Sequence, residues 1–199
     1  MKLVIAVTGA SGAIYPQRLL AHLARLGRTD RIAVVMSRHG EEVAREELGP
    51  GGLVLPAGVD RCDDGAMTAP FVSGSSVWDA MAVIPCSMGT LGRIAAGLSD
   101  TVITRAADVF LKERRPLVLV PRETPLHRTH LRNMLLAADA GAVVLPASPS
   151  FYSQPGTVEQ LVDTVLFRVL RHLGIPAPDA PCWEGPRAGA EAGAGGALR

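Results

Sequence analysis

The chain has 199 residues, of which 48% are hydrophobic; this is enough for one domain with a substantial buried core and too little for two. Its 20 basic and 19 acidic residues nearly balance, and aromatic residues make up only 4%. The composition therefore gives no electrostatic argument for nucleic acid or an anionic membrane, it argues against a base-stacking surface, and it leaves a small molecule as the expected ligand.

The cysteines and the amino terminus indicate a reducing compartment. Cys62, Cys86 and Cys182 are far apart and form no Cys-x-x-Cys pair, so the sequence predicts neither a zinc site nor a disulfide framework. Met1 and Lys2 lead directly into a short apolar run that lacks the features of a signal peptide. No apolar run is long enough to cross a membrane, so we expect a cytoplasmic protein.

Short apolar runs rich in β-branched residues alternate along the chain with longer segments of helical period. This alternation predicts a single α/β domain in which helices cover both faces of a parallel sheet, as in a Rossmann-like or flavodoxin-like three-layer sandwich. The predicted strands are residues 3–7, 31–36, 81–85, 116–120 and 142–145. The predicted helices are residues 13–26, 39–48, 90–98, 106–114, 125–140 and 157–173.

Two segments fall outside this alternation. Residues 49–76, with their glycines, prolines and mixed charges, are predicted to be a long excursion within the domain of the kind that often lines a site. After Ile175 the composition shifts to Ala, Gly and Pro. We therefore place the domain at residues 1–183 and expect residues 184–199 to be a disordered tail.

The loop after the first strand, Thr8-Gly9-Ala10-Ser11-Gly12, precedes a helix and so offers backbone N–H groups and a helix N-terminus to a phosphate. A tight glycine turn without a ligand is the alternative. A nicotinamide cofactor is disfavoured, because the loop has no late glycine, the second strand ends in Met36-Ser37-Arg38 without an acidic ribose ligand, and the chain has no Tyr-x-x-x-Lys pair. The nicotinamide alternative stays open, because an arginine such as Arg38 can bind the 2′-phosphate of such a cofactor.

Two further segments place polar groups at strand ends, where α/β folds bind ligands. Pro85-Cys86-Ser87-Met88-Gly89-Thr90 closes the third predicted strand, with a helix cap as the alternative to a ligand contact. Arg122 and Glu123 follow the fourth, where an arginine can hold phosphate and a carboxylate can relay a proton. For Lys112-Glu113-Arg114-Arg115, a solvated helix end is favoured on spacing alone.

Other candidate residues have simpler interpretations when taken singly. Tyr152 is typical of a loop aromatic and Arg168 of a surface charge. His127 and His130 could share one helical face, but no third metal ligand is evident, so exposed or capping histidines are favoured. Cys86 is interpreted as a small buried residue and not as a nucleophile.

Taken together, four segments resemble the UbiX flavin prenyltransferases. They are TGASGAIY, PCSMGTLGRIAAG, TRAADVFLKERRPLVLVPRETPLH and GAVVLPASPSFYSQP, and the resemblance spans residues 1–183. It implies a metal-independent homo-oligomer, a dodecamer, that transfers a dimethylallyl group from dimethylallyl phosphate to N5 and C6 of reduced FMN. The prenylated FMN would serve a separate UbiD-type decarboxylase.

The resemblance also implies roles for individual residues. The implied FMN contacts are Gly9, Ala10, Ser11, Ser37, Ser87, Met88, Gly89, Thr90, Arg105 and Arg122. The implied dimethylallyl phosphate clamp consists of Lys112, Arg122, Tyr152 and Arg168, drawn from several subunits, with Glu123 beside the substrate. Glu123, Ser11 and Glu47 would manage protons. The cationic clamp would stabilise the departing phosphate.

Two departures from the family pattern and two rival functions remain. Ala66 stands where an aromatic residue is expected beside the prenyl group, and Pro16 falls early in the first helix, where only a first-turn position is tolerable. A flavin-dependent decarboxylase of the phosphopantothenoylcysteine or lantibiotic type would resemble the same fold, but no histidine occurs between Gly40 and Gly89. A non-catalytic FMN-binding accessory subunit is the other alternative.

Overall fold

The computed structural model describes residues 1–181, so the tail expected at 184–199 lies outside the described residues. Six parallel strands form one sheet in the order β3-β2-β1-β4-β5-β6. The strands are β1 Lys2–Val7, β2 Arg31–Met36, β3 Val59–Asp63, β4 Ala80–Cys86, β5 Leu117–Pro121 and β6 Val143–Val144. The helices are α1 Ile14–Leu26, α2 Arg38–Leu48, α3 Met88–Ala95, α4 Val102–Lys112, α5 Arg128–Asp139 and α6 Val158–His172. The predicted α/β class is confirmed.

The core lies on both faces of the sheet because the side chains of each strand alternate between two layers. In β1, Leu3 and Ile5 pack on the face covered by α1 and α6, whereas Val4 and Ala6 pack on the face covered by α3 and α4. All four side chains are fully buried. This double burial explains why the central strands are continuous apolar runs in the sequence.

One strand was not predicted from the sequence. Val59–Asp63 lies within the excursion and pairs only with β2, at the edge of the sheet. Its sequence, VDRCD, carries charged residues at positions that an edge strand leaves partly exposed, and Arg31 on β2 bonds Asp60 at 2.6 Å. Because the strand has no buried apolar run, period-based reasoning could not find it.

Local capping chemistry sets the helix boundaries that differ from prediction. Helix α4 begins at Val102, four residues before the predicted start, because Thr101 and Thr104 form a reciprocal capping box. Pro16 is the third residue of α1, so its missing N–H falls within the first turn, as tolerance of that residue required. Among the described helices, none combines the length and apolarity needed to cross a bilayer.

Candidate functional site

Thr8 joins the two loops at the centre of the sheet, where the strand order reverses between β1 and β4. Its hydroxyl donates to the Pro85 carbonyl oxygen at 2.9 Å and accepts from the Ser87 N–H at 2.7 Å. The side chain is only 1% exposed. The loops after β1 and β4 are therefore held side by side at the carboxyl edge, the position at which open α/β sheets bind ligands.

Three helices begin around one cavity at this edge. Ser37 caps α2 by accepting from the Gly40 N–H at 3.1 Å, Ser87 caps α3 by accepting from the Thr90 N–H, and Thr101 caps α4. The cavity measures about 260 Å³ and is lined by Gly9, Ser37, His39, Asp64, Ser87, Thr90, Arg93, Asp100, Thr101, Ile103 and Thr104. Converging helix N-termini carry partial positive charge, so the cavity favours an anionic group.

The loop after β1 and the first turn of α2 approach so closely that only glycine fits at two positions. A Cβ at Gly9 would lie 2.5 Å from the His39 Cβ. A Cβ at Gly40 would lie 2.5 Å from the Val7 carbonyl oxygen. The absence of both side chains lets the loop backbone and the α2 N-terminus share one wall of the cavity.

Two carboxyl groups also line the cavity, but other groups engage both of them. Asp64 accepts from the Ile103 N–H at 3.0 Å, and burial raises the pKa of its carboxyl, which disfavours its negative charge. Asp100 lies 3.4 Å from the Arg93 guanidinium and accepts from the Thr104 hydroxyl at 3.1 Å. Both carboxyl groups are therefore compensated by other groups, and an anion entering the cavity would face the helix N-termini, Arg93 and His39.

A second group of predicted residues meets at the start of α1. Glu47 accepts from the Gly12 N–H at 2.9 Å and from the Ala13 N–H at 2.7 Å. Partial burial opposes the charge on Glu47, but hydrogen bonds from Ser11, Ala13 and Gly12, with Arg122 nearby, hold the pKa of this carboxyl below its usual value. Arg122 in turn donates from Nε to the Ser11 carbonyl oxygen at 3.1 Å. Ser11, Glu47 and Arg122 therefore form one polar cluster.

The remaining predicted flavin contacts lie at or just behind the cavity. Gly9, Ser37, Ser87 and Thr90 line it, whereas Ala10, Met88 and Gly89 do not. Arg105 is directed to the neighbouring 3-10 turn, donating to the Val72 carbonyl oxygen at 3.2 Å and to Asp108 at 2.9 Å. Glu123 is exposed and accepts from the Thr124 N–H at 3.0 Å.

The predicted phosphate clamp is not assembled within one chain. Helix α4 starts at the cavity, beside the carboxyl ends of the strands, and runs toward their amino ends. Its eleven residues span about 16 Å, and Lys112 is the last of them. There Lys112 pairs with Glu113. Arg122 directly follows β5 at the carboxyl edge, Tyr152 lies in the loop before α6 and is 87% exposed, and Arg168 is exposed on α6.

His127 and Cys86 have the structural roles that the sequence favoured, whereas His130 is neither exposed nor a helix cap, and its Nδ1 is buried without a hydrogen-bond partner. His127 caps α5 by accepting from the Thr129 N–H at 3.2 Å, and its ring stacks on that of His130 with centroids 3.5 Å apart. Burial raises the pKa of the Cys86 thiol to about 12, which keeps it protonated. Within residues 1–181, no cluster of three or more His, Cys, Asp or Glu side chains has the geometry of a metal site.

Sequence reasoning missed part of the cavity wall: His39, Asp64, Arg93, Asp100, Thr101, Ile103 and Thr104. A detectable signal existed for the α4 residues, since Thr101-x-x-Thr104 before an apolar run is a helix-start pattern. Asp64 follows the unpredicted edge strand, so its position could not be inferred. His39 was the first residue of a predicted helix and carried no motif of its own.

Comparison with known proteins gives a consistent result over most of the chain. The model of the family described as Flavoprotein matches residues 1–170. The flavin prenyltransferase UbiX of Methanothermobacter thermautotrophicus is 47% identical over 176 residues, covering 87% of this chain and 90% of the relative.

Two solved structures are similar in fold and sequence. A crystal structure of AnUbiX (PadA1) in complex with FMN and dimethylallyl pyrophosphate superposes with a TM-score of 0.86 at 42% identity, covering 92% of this chain and 97% of that one. A dodecameric FMN-dependent UbiX-like decarboxylase from Escherichia coli O157:H7 gives a TM-score of 0.85 at 40% identity, covering 93% and 100%.

Proposed function

We propose, from the premise that this chain belongs to the UbiX flavin prenyltransferase family of flavoproteins, that it transfers a dimethylallyl group to N5 and C6 of reduced FMN. The donor in this proposal is dimethylallyl phosphate. The observation that carries the proposal is the meeting of three helix N-termini with the Thr8–Gly12 loop at the carboxyl edge of the sheet. This arrangement suits a ligand with one phosphate and an extended polar chain.

The residues of the cavity fit FMN on chemical grounds. The N-termini of α2, α3 and α4 offer N–H groups and hydroxyls from Ser37, Ser87 and Thr90, which suit a phosphate ester and its ribityl chain. The lack of a side chain at Gly9 leaves the backbone open to close approach. In this assignment Ser11 and Arg122 would hold the isoalloxazine ring.

The reacting phosphate would be held by a clamp completed by a second subunit. Arg122 lies at the carboxyl ends of the strands and Lys112 near their amino ends. One chain therefore cannot bring both side chains to the same phosphate without refolding α4. Tyr152 and Arg168 are both exposed at the surface of the single chain. We assign Lys112, Arg122, Tyr152 and Arg168 to a clamp assembled between subunits.

Exposed leucines on and just before α5 support this assembly. Leu126, before the helix, and Leu131, Leu135 and Leu136, on it, are each between 40% and 60% exposed, and only Ala137 of the helix is buried. Exposed leucines concentrated on one helix are typical of an interface between subunits. A homo-oligomer, of twelve subunits as in the Escherichia coli relative, would cover it.

In the proposed reaction, the allylic C–O bond breaks and the phosphate leaves with the electron pair. The clamp would stabilise this charge because preorganised cations act strongly in a site shielded from water. N5 of reduced FMN bonds to the carbon that loses the phosphate and releases its proton. Protonation of the C=C double bond of the prenyl group then lets C6 bond to the tertiary carbon and release its own proton, so that the net proton leaves with the phosphate. Glu123 and Ser11 would handle the proton released when the new bonds form, and Glu47 would hold the Ser11 loop through Gly12 and Ala13.

The product would leave for another enzyme. We assign prenylated FMN to a UbiD-type decarboxylase as its acceptor and place the reaction in the cytoplasm, in keeping with the reduced cysteines expected from the sequence.

Anaerobic incubation of the purified protein with reduced FMN and dimethylallyl phosphate, followed by mass analysis of the flavin, tests the proposal. The expected result is a flavin heavier by one five-carbon unit. Dimethylallyl diphosphate in a parallel incubation identifies the preferred donor. An unmodified flavin with either donor, in a protein shown to bind FMN, would refute the transferase activity.

A decarboxylase is the second candidate, because the Escherichia coli relative is described by that activity. Two features of the described site argue against this candidate. Cys86 is buried and protonated, and the excursion of residues 49–76 contributes no histidine to the cavity wall. Release of CO₂ from a carboxylic acid by the FMN-loaded protein alone, without a prenyl donor, would favour this candidate over the transferase.

A further inference from the structure

His39 stands beside the proposed phosphate cavity, and the proposed reaction assigns it no role. It is the second residue of α2, it lines the cavity together with Ser37 and Thr90, and its side chain is 77% exposed. The Gly9 backbone packs against its Cβ, which fixes the base of the side chain at the cavity wall. The position therefore comes from packing and not from the chance orientation of a surface residue.

One ring nitrogen is already engaged. Nδ1 of His39 lies 2.8 Å from the Glu42 carboxylate, one turn further along α2. The carboxylate is an obligate acceptor, so Nδ1 carries the hydrogen. Within the described part of the chain no hydrogen bond engages Nε2. The free edge of the ring is thus left for a ligand in the cavity.

We infer that His39 binds the phosphate of FMN through Nε2, with Glu42 orienting the ring. The inference rests on the proposed function, since it names a contact to the ligand that the function requires. An imidazole whose Nδ1–H faces a carboxylate can donate from Nε2 only when it is protonated.

The other charges around His39 do not supply the same contact. On α2, Arg38 bonds Glu42 at 3.2 Å and does not line the cavity. On α3, Arg93 faces Asp100, and Asp64 faces the N-terminus of α4. The loop after β1 brings only backbone at Gly9. Among the α2 residues that line the cavity, His39 is therefore the one with a side-chain nitrogen left for a phosphate oxygen.

Equilibrium titrations of the apoprotein with FMN and with riboflavin, which lacks the phosphate, test the inference. We expect His39→Ala to weaken FMN binding about tenfold near pH 7, the low end for a hydrogen bond to a charged group, and to leave riboflavin binding unchanged. Arg38→Ala is the matched control: it removes a positive charge from the same turn and should leave both affinities close to wild type.

Each contrary result has its own meaning. FMN bound equally well by wild type and His39→Ala overturns the inference and leaves the transferase proposal standing. Equal losses for FMN and riboflavin, or equal losses in Arg38→Ala and His39→Ala, also overturn it, because the residue would then support the loop or the general field and not the phosphate. A wild-type protein that binds neither flavin refutes the proposed function itself.

Discussion

Lys112 lies near the amino ends of the strands and Arg122 at their carboxyl ends, although only nine residues separate the two in sequence. Helix α4 runs away from the carboxyl ends of the strands to Lys112, and β5 brings the chain back to the carboxyl ends at Arg122. If both residues act on one phosphate, they must come from different subunits. In the proposed function, the assembly is therefore part of the catalytic site.

Complementation between two inactive variants tests the shared site. Lys112→Ala and Arg122→Ala should each abolish adduct formation, whereas co-expressed mixtures should recover about a quarter of wild-type sites, because random assembly pairs one intact Lys112 with one intact Arg122 at that frequency. Flavin mass analysis of the mixed oligomer provides the measurement. If both residues acted within the same chain, no intact site could form and the mixture would stay inactive.

The α5 leucines provide a separate test of assembly. Leu131 and Leu135 are one turn apart and 52% and 60% exposed. The double change Leu131→Glu and Leu135→Glu should dissociate the oligomer, because charged side chains in an apolar interface lose hydration without gaining partners. Sedimentation velocity gives the distribution of species. Val54→Glu, at an equally exposed position in the excursion, should leave that distribution unchanged.

Thr8 provides a test of how the two ligand loops are held together. Thr8→Val removes a buried hydroxyl that accepts from Ser87 and donates to Pro85, so it should lower the free energy of unfolding by about 1–3 kcal/mol and weaken FMN binding. Thr8→Ser keeps the hydroxyl and should lose much less of both. Denaturant unfolding and FMN titration provide the two measurements. Equal losses in the two variants would mean that the methyl packing and not the hydroxyl matters.

The residues of the candidate site show which of its parts can be predicted from the sequence. Thr8, Ser87 and Arg122 were identified because each follows a buried apolar strand, and the carboxyl ends of such strands must meet at one edge. Ser37 was identified, and Glu47 was grouped with Ser11, only through family resemblance. The contacts of Glu47 and Arg122 with the loop after β1 join residues far apart in sequence. His39 and Asp64 were missed because a single polar residue beside a helix start or an edge strand has no period and no motif. The shared clamp depends on a second chain, which one sequence can only imply.

Glu123 tests the assignment of a proton-handling group. It is exposed at the carboxyl edge beside Arg122, with one carboxylate oxygen accepting from the Thr124 N–H. Glu123→Gln keeps the size and the acceptor but cannot take a proton, so FMN affinity should be retained while adduct formation slows about 100-fold or more. Single-turnover mass analysis separates binding from chemistry. Undiminished turnover would remove Glu123 from the proton path.

Asp163 predicts how stability depends on pH. Its carboxylate accepts from Arg18 at 2.7 and 2.5 Å and lies 3.0 Å from His22 Nε2, which ties α6 to α1. Burial opposes the charge, but the hydrogen bonds from Arg18 and His22 hold the pKa of Asp163 below its ordinary value of 3.8. Because the folded pKa is depressed, this contribution to stability is complete above the unfolded pKa and is lost as the pH falls through the folded one.

Replacing this carboxylate should therefore change both the stability and its pH profile. Asp163→Asn should lower the free energy of unfolding by about 2–3 kcal/mol near pH 7, somewhat less than for a fully buried pair because Arg18 is 30% exposed. Below about pH 4 the difference from wild type should shrink, because the wild-type carboxylate loses its charge as the pH falls toward its depressed pKa. Asp179→Asn breaks an exposed pair with Arg25 and should cost less than about 0.5 kcal/mol at any pH. Urea unfolding at a series of pH values provides the measurement, and a gap between wild type and Asp163→Asn that stayed constant into the acid range would show that the side chain acts through shape and not through its charge.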